Sequence, residues 1–283
     1  MKSYTTASDP IFTAIILAGD RAKDDPVAQL YGIGCKAMVP LGGKPMILRV
    51  LHALGESRTI GTRVLCGPSR QVVTQNSELK AGLDAGYWRW VENQSTPSLS
   101  ANHALESLPD KLPVLLTTAD HALLSKEIVD YFCLNAIRSG FDLAVALTPY
   151  QQVIAEHPGV RRTGYRFKDD TYCGCNLFAF ITPRSRKAAV FWRRVEQQRK
   201  HPWRVIGVLG WTAMLRFLLC RLSMTEALKI LSKRLGINIG PIILPFPEAA
   251  ADVDTVADWE YVQRILTDDE VIENRPSDSL PKP

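Results

Sequence analysis

The chain has 283 residues, enough for one large α/β domain or two small ones, since domains commonly hold roughly 100 to 200 residues and α/β folds run larger. Hydrophobic residues make up 46% and charged residues 22%, a globular composition that excludes extensive disorder and favours one domain over residues 11–268, with flexible ends at 1–10 and 269–283. The net charge is +5 and the Lys and Arg residues are spread along the sequence without a basic stripe of interleaved aromatics, which argues against a nucleic-acid partner and for a small phosphate-bearing one.

The polar first ten residues and the short apolar run Ile11–Ala18 fit neither a signal peptide nor a membrane span. Within it, Phe12–Ala18 is nearly continuously apolar and stops at Gly19, as expected for a parallel strand buried on both faces. A polar stretch, Asp20–Gly34, then leads to Lys36-Ala-Met-Val-Pro-Leu-Gly-Gly-Lys-Pro45 and a helical pattern over Met46–Leu54. Further strands are predicted at Arg63–Cys66, Trp88–Val91, Val114–Thr118, Leu143–Leu147 and Ile242–Leu244, with helical patterns between most of them. This alternation predicts a three-layer α/β/α, mostly parallel, doubly wound sheet, in which ligands bind outside the carboxyl ends of the strands. Gly19 and Asp120 stand at two such ends.

Tyr165–Ile181 reads as two strands around a turn, a small antiparallel excursion. Residues 183–235 read as a helical insertion, and its apolar piece Trp203–Leu222, interrupted by Arg204, Arg216 and Arg221, is expected to pack as helices rather than span a membrane. Thr255 is placed to cap a last helix running to Leu266. The six cysteines show neither zinc-ligand spacing nor a disulfide framework, which points to a reducing, cytoplasmic setting and makes packing the better account of Cys173 and Cys175.

The segment Leu17-Ala-Gly-Asp-Arg21, with Lys36 and the Gly42-Gly43-Lys44-Pro45 run beyond it, joins a glycine at a strand end to several cations. Glycine allows backbone N–H groups to approach a phosphate, and Arg21 and Lys36 would supply charge-assisted donors; the same glycines also suit plain turns. Order and spacing together resemble the signature of the MobA-like nucleotidyltransferases and their sugar-phosphate relatives. That resemblance implies a GT-A-like fold, a loop after the first strand that wraps a nucleoside triphosphate, and Mg²⁺ assistance.

It further implies Asp120 and Asp254 as metal ligands, Leu17, Ala18, Gly19, Ser98 and Ser100 on the nucleotide, and Gly174 and Asn176 on the acceptor. Ser100 equally suits a helix cap, and Asp258 suits helix-start electrostatics. The implied reaction moves a nucleoside monophosphate to a phosphorylated small-molecule acceptor, with pyrophosphate leaving. Departures from the pattern are Asp20 in place of a second glycine and His121 after Asp120. They leave open a non-catalytic nucleotide-binding protein on the same fold, while a glycosyltransferase using a nucleotide sugar is the other reading, since it shares such a sheet and a metal-binding aspartate. The base, the acceptor and the oligomeric state are not encoded in these motifs, and the apolar helical region allows a weak contact with a membrane surface.

Overall fold

The structure, a computed structural model, describes residues 12–19, 25–108, 112–156, 158, 162–198 and 210–273. Ten strands are found among them: β1 (Phe12–Leu17), β2 (Pro40–Leu41), β3 (Lys44–Pro45), β4 (Ile60–Cys66), β5 (Arg89–Val91), β6 (Val114–Thr118), β7 (Leu143–Pro149), β8 (Tyr165–Arg166), β9 (Thr171–Phe180) and β10 (Ile239–Ile243). The helices are α1 (Pro26–Leu30), α2 (Met46–Glu56), α3 (Arg70–Gln75), α4 (Ser77–Asp84), α5 (Pro97–Glu106), α6 (Lys126–Arg138), α7 (Tyr150–Glu156), α8 (Arg186–Gln198), α9 (Trp211–Leu218), α10 (Met224–Leu235) and α11 (Val256–Glu273).

The main sheet has the order β10-β7-β9-β6-β1-β4-β5, with β8 on β9. Every side chain of β1 is buried, as its apolar run demands, and the period-2 alternation of a strand divides them between two faces. Ala14 and Ile16 join a core with α2 and α6, including Leu51 and Phe132. Ile15 and Leu17 face Ala101 and Leu105 of α5, in a second core that also takes Trp192 of α8 and Leu231 of α10. The result is the three-layer α/β/α arrangement expected from the sequence, and each fully buried Ile or Leu contributes about 1.5–3 kcal/mol relative to exposure.

The expected antiparallel pair is present, but it is not an appendage. β9 runs antiparallel between β6 and β7, pairing Leu115 with Ala179 on one side and Leu143 with Phe180 on the other. It therefore enters the sheet at the end where the parallel strands leave it. The β7–β9 register shifts between Val145 and Leu147, and the extra residues of β9 surround Asn176, whose φ is +47°. A bulge is where such a conformation is tolerated, and Asn accepts the left-handed region better than most side chains.

The remaining expectations differ in their edges. β4 begins at Ile60 rather than Arg63, and α11 runs to Glu273 rather than Leu266. Residues 183–185 form a 3-10 turn, followed by the helices α8, α9 and α10; residues 199–209, part of the expected helical stretch, lie outside the described residues. No helix among the described residues is long and apolar enough to cross a membrane. Cys173 and Cys175 are buried, and burial pushes their thiols up to about 11 and about 12, which suits packing rather than reactivity.

Gly82 lies inside α4, where Ala would ordinarily gain about 1 kcal/mol in helix propensity. A Cβ there falls inside the buried ring of Trp88. Gly82→Ala is therefore expected to lose about 1–3 kcal/mol by overpacking, read from urea denaturation; a stabilised variant would show that the ring does not fill this space.

Candidate functional site

A cavity of about 260 Å³ opens at the carboxyl ends of β1 and β6. Leu17, Ala18 and Gly19 form one side, where Ala18 N–H is held by the Cys66 carbonyl at 2.8 Å. Gly19 has no room for a side chain, because a Cβ would sit 2.9 Å from the Asn93 side-chain nitrogen. The opposite wall is Gln94–Pro97 with Ser100, leading into α5. Thr96 caps that helix by accepting from Leu99 N–H, and its N-terminus gives this wall a partial positive charge.

The two serines expected near the nucleotide part company here. Ser100 lines the cavity and its hydroxyl accepts from Gln94 N–H at 2.8 Å, so it shapes the wall by pinning the loop. Ser98 is 1% exposed and turns away: its N–H and hydroxyl both donate to the Glu196 carboxylate on α8. Positions two apart on a helix are rotated by about 200°, so both cannot face one ligand.

At the floor, Lys36 opens a short 3-10 turn and reaches two carboxylates from remote parts of the chain. Its Nζ lies 3.0 Å from Asp120 Oδ2 and 2.8 Å from Asp254 Oδ1. Asp120 stands two residues past the end of β6, and its carbonyl accepts Val253 N–H at 3.1 Å, which draws the Asp252–Asp254 segment against it. Burial alone would lower the Lys36 pKa, but Asp120 and Asp254 outweigh it and hold the pKa above the usual value. The ammonium is thus charged at neutral pH. Two of its three N–H donors are taken by carboxylates and one is left over.

Asp252 and Arg162 belong to the same cluster and were not legible as site residues. Arg162, 7% exposed in its side chain, donates to the Asp252 carbonyl at 2.7 Å and lies 3.1 Å from Asp252 Oδ1 and 3.3 Å from Asp258 Oδ1. Asn176 Nδ2, on the β9 bulge, donates to Asp252 Oδ2 at 3.3 Å. Burial and then the charges of Asp254 and Asp120 push the Asp252 carboxyl above the usual range, against the opposing pull of Arg162. Asp258 accepts from Thr255 N–H and the Thr255 hydroxyl, so it closes the start of α11 and fixes the turn carrying Asp254. The alternation Asp252-Val-Asp254 was the available signal, since residues two apart in extended chain share a face; nothing in the sequence around Arg162 marked it.

Of the other expected residues, Gly174 and Asn176 lie on β9 rather than on the cavity wall, and Gly174 is exposed beside Tyr165. Asp25, which caps α1, lines the cavity instead of a residue named from the sequence. Gly42 and Gly43 make the β2–β3 turn, with φ of +50° and +70°, and Lys44 is exposed away from the cavity. Arg21 and Asp20 lie outside the described residues. His121 is buried, and burial pushes its pKa down to about 4, so it stays neutral at physiological pH.

The donor set suits a hard divalent cation. Asp120 and Asp254 already share one cation, Lys36 Nζ, and the third carboxylate behind them is strained by their charge. Among the described residues no group of three or more His, Cys, Asp or Glu is placed to hold a metal ion by itself.

An open α/β sheet with a cavity at the carboxyl ends of its strands is the arrangement in which such folds bind ligands. The chain belongs to the family described as the MobA-like NTP transferase domain, whose model matches residues 14–222. It is therefore a nucleotidyltransferase. It is similar to a hypothetical transferase from Thermus thermophilus, with 28% identity and a TM-score of 0.72 over 89% of this chain and 100% of that one. Two further solved structures share the fold. One is CMP:2-keto-3-deoxy-manno-octonic acid synthetase complexed with CTP, with 13% identity and a TM-score of 0.53 over 93% and 100% of the two chains. The other is 4-diphosphocytidyl-2C-methyl-D-erythritol synthase from Anaerococcus prevotii, with 14% identity and a TM-score of 0.56 over 91% and 96%. No curated protein matches the chain. Family membership favours nucleotidyl transfer over the glycosyltransferase reading.

Arg162→Ala is expected to destabilise the protein by about 2–4 kcal/mol, because it removes the cation from the buried Asp258 and the half-buried Asp252. Thermal or urea denaturation reads this, and a change under about 1 kcal/mol would mean that water replaces the guanidinium.

Proposed function

We propose that the protein is a Mg²⁺-dependent enzyme that moves a nucleoside monophosphate from a nucleoside triphosphate to a phosphorylated small molecule. The observation that carries this reading is the Lys36 ammonium between Asp120 and Asp254 at the floor of the cavity. Asp120 and Asp254 would hold Mg²⁺, which when bound would neutralise charge on the triphosphate oxygens. The acceptor's phosphate oxygen attacks the α-phosphorus in line; a new P–O bond forms as the α–β bridging P–O bond breaks, and pyrophosphate leaves with the electron pair. An anionic phosphate needs no general base, so the protein's contribution is positioning and electrostatics.

In this reading Leu17, Ala18 and Gly19 and the loop pinned by Ser100 receive the nucleoside, and the extruded Ser98 has an architectural part. Lys36 keeps its charge and offers its remaining N–H to a phosphate oxygen, with Arg21 as a second cation. Gly174 and Asn176 define the acceptor side, Asn176 by steadying Asp252 beside Asp254. The family relation and the solved structure complexed with CTP support a nucleotide substrate.

The test is thermal stability with each of the four ribonucleoside triphosphates and Mg²⁺. One of them should raise Tm, since a ligand at about 100 times its Kd adds about 2.7 kcal/mol. Lys36→Ala and Asp120→Asn should abolish the response, and chelation of the metal should abolish turnover until Mg²⁺ is restored. Stabilisation by nucleotide diphosphate sugars alone would overturn the proposal.

Loss of the Lys36 donor is expected to lower kcat by on the order of a hundred- to a thousandfold, as for removal of a preorganised donor to developing charge. Steady-state pyrophosphate release measures it, and an unchanged kcat would leave Lys36 with a structural part only.

A further inference from the structure

We infer that the exposed apolar stripe of α9, in the most basic region of the chain, seats the protein on an anionic lipid membrane. α9 has no buried residue, although six of its eight residues are Trp, Ala, Met, Leu or Phe. Ala213, Met214 and Phe217 are half-buried, and Phe217 packs edge-on against Phe167 at 5.5 Å. The other side presents Trp211, Leu215, Leu218 and Leu219, at 59%, 47%, 69% and 55% exposure. At about 100° per residue these four fall on one stripe, so the helix shows solvent the face an ordinary surface helix buries.

Charge identifies the occupant. The even spread of Lys and Arg read from the sequence does not hold at the level of regions. The described residues 183–198 and 210–236 carry ten Lys and Arg against Glu196 and Glu226, whereas the rest of the chain carries 24 against 27 acidic residues. The chain's net positive charge therefore resides in these helices. The Arg234 guanidinium lies at Gly210, the residue that begins α9, while Lys229 and Lys233 are exposed one turn apart on α10. An apolar stripe with a guanidinium at its start, in a region of net positive charge, is the pattern of a helix lying in the headgroup region of an anionic bilayer.

The stripe is also fixed to the core. Lys168 N–H donates to the Leu222 carbonyl at 2.9 Å and Met224 N–H to Asp169 at 3.1 Å, which ties the α9–α10 connection to the turn between β8 and β9. A docked α9 thus holds the β8–β9 hairpin, whose second strand bears Gly174 and Asn176, close to the lipid surface.

The experiment is vesicle sedimentation of the full chain with phosphatidylcholine alone and with phosphatidylcholine containing phosphatidylglycerol. The wild type should sediment with the anionic vesicles only, and less so as salt rises. Leu215→Glu combined with Leu218→Glu, at exposed positions, should keep the native circular dichroism and Tm while the partition coefficient falls by on the order of a hundredfold or more. Wild type left in the supernatant with both vesicles, or a double variant that sediments like the wild type, would overturn the inference. So would a dimer in light scattering that the double variant loses without any vesicle binding, which would assign the stripe to a second copy. None of these outcomes depends on the nucleotide response, so the docking surface and the proposed reaction stand or fall separately.

Discussion

Three carboxylates, Asp120, Asp252 and Asp254, are held close together by a chain that must neutralise them to fold. Two cations do so, Lys36 on Asp120 and Asp254 and Arg162 on Asp252, and they are not equivalent. Arg162 is nearly sealed, and its Nη1 alone reaches Asp252, Asp258 and a backbone carbonyl, so it fixes the geometry of the turn. Lys36 is a point charge on a flexible stem at the cavity floor and can shift its bonds without unravelling that turn. One cation builds the acidic cluster; the other leaves it responsive to whatever ligand arrives.

The sheet topology is what brings these groups together. β1 and β6 lie side by side, so the loops after them meet, and the β2–β3 turn is anchored from above by α11. Trp259 donates to the Pro40 carbonyl and Gln263 accepts from Gly42 N–H, each at 2.9 Å. Arg49 binds the carbonyls of Leu41 and Gly42 from the other side. The antiparallel β9 supplies what a purely parallel sheet lacks, a strand that begins at the ligand edge instead of ending there. Its bulge at Asn176 then reaches across to Asp252.

Most strands were legible because burial on both faces forces a continuous apolar run; Val114–Thr118 is found with the limits its sequence announces. Asp120 was legible for the same reason, as the first charged residue after such a run. The place of β9 was not, because insertion between β6 and β7 depends on pairings with strands tens of residues away, which local periodicity does not encode. Ser98 and Ser100 looked equivalent until the helix rotated one toward α8 and the other toward the cavity. Arg162 was hidden because its meaning lies in partners 90 and more residues later. The glycine pair before Lys44 makes the β2–β3 turn, one of the two uses its sequence allowed.

The bond from Lys36 to Asp254 spans 218 positions of the sequence. During synthesis the first loop, β1 and β6 are all complete long before Asp254 emerges, and until then the Lys36 and Asp120 pair lacks its second carboxylate. A chain stopped short of α11 would retain most of its sheet yet lack the α11 contacts that anchor the β2–β3 turn. Until residues 252–254 emerge, therefore, the growing chain holds Lys36 and Asp120 without the two carboxylates that complete the acidic cluster.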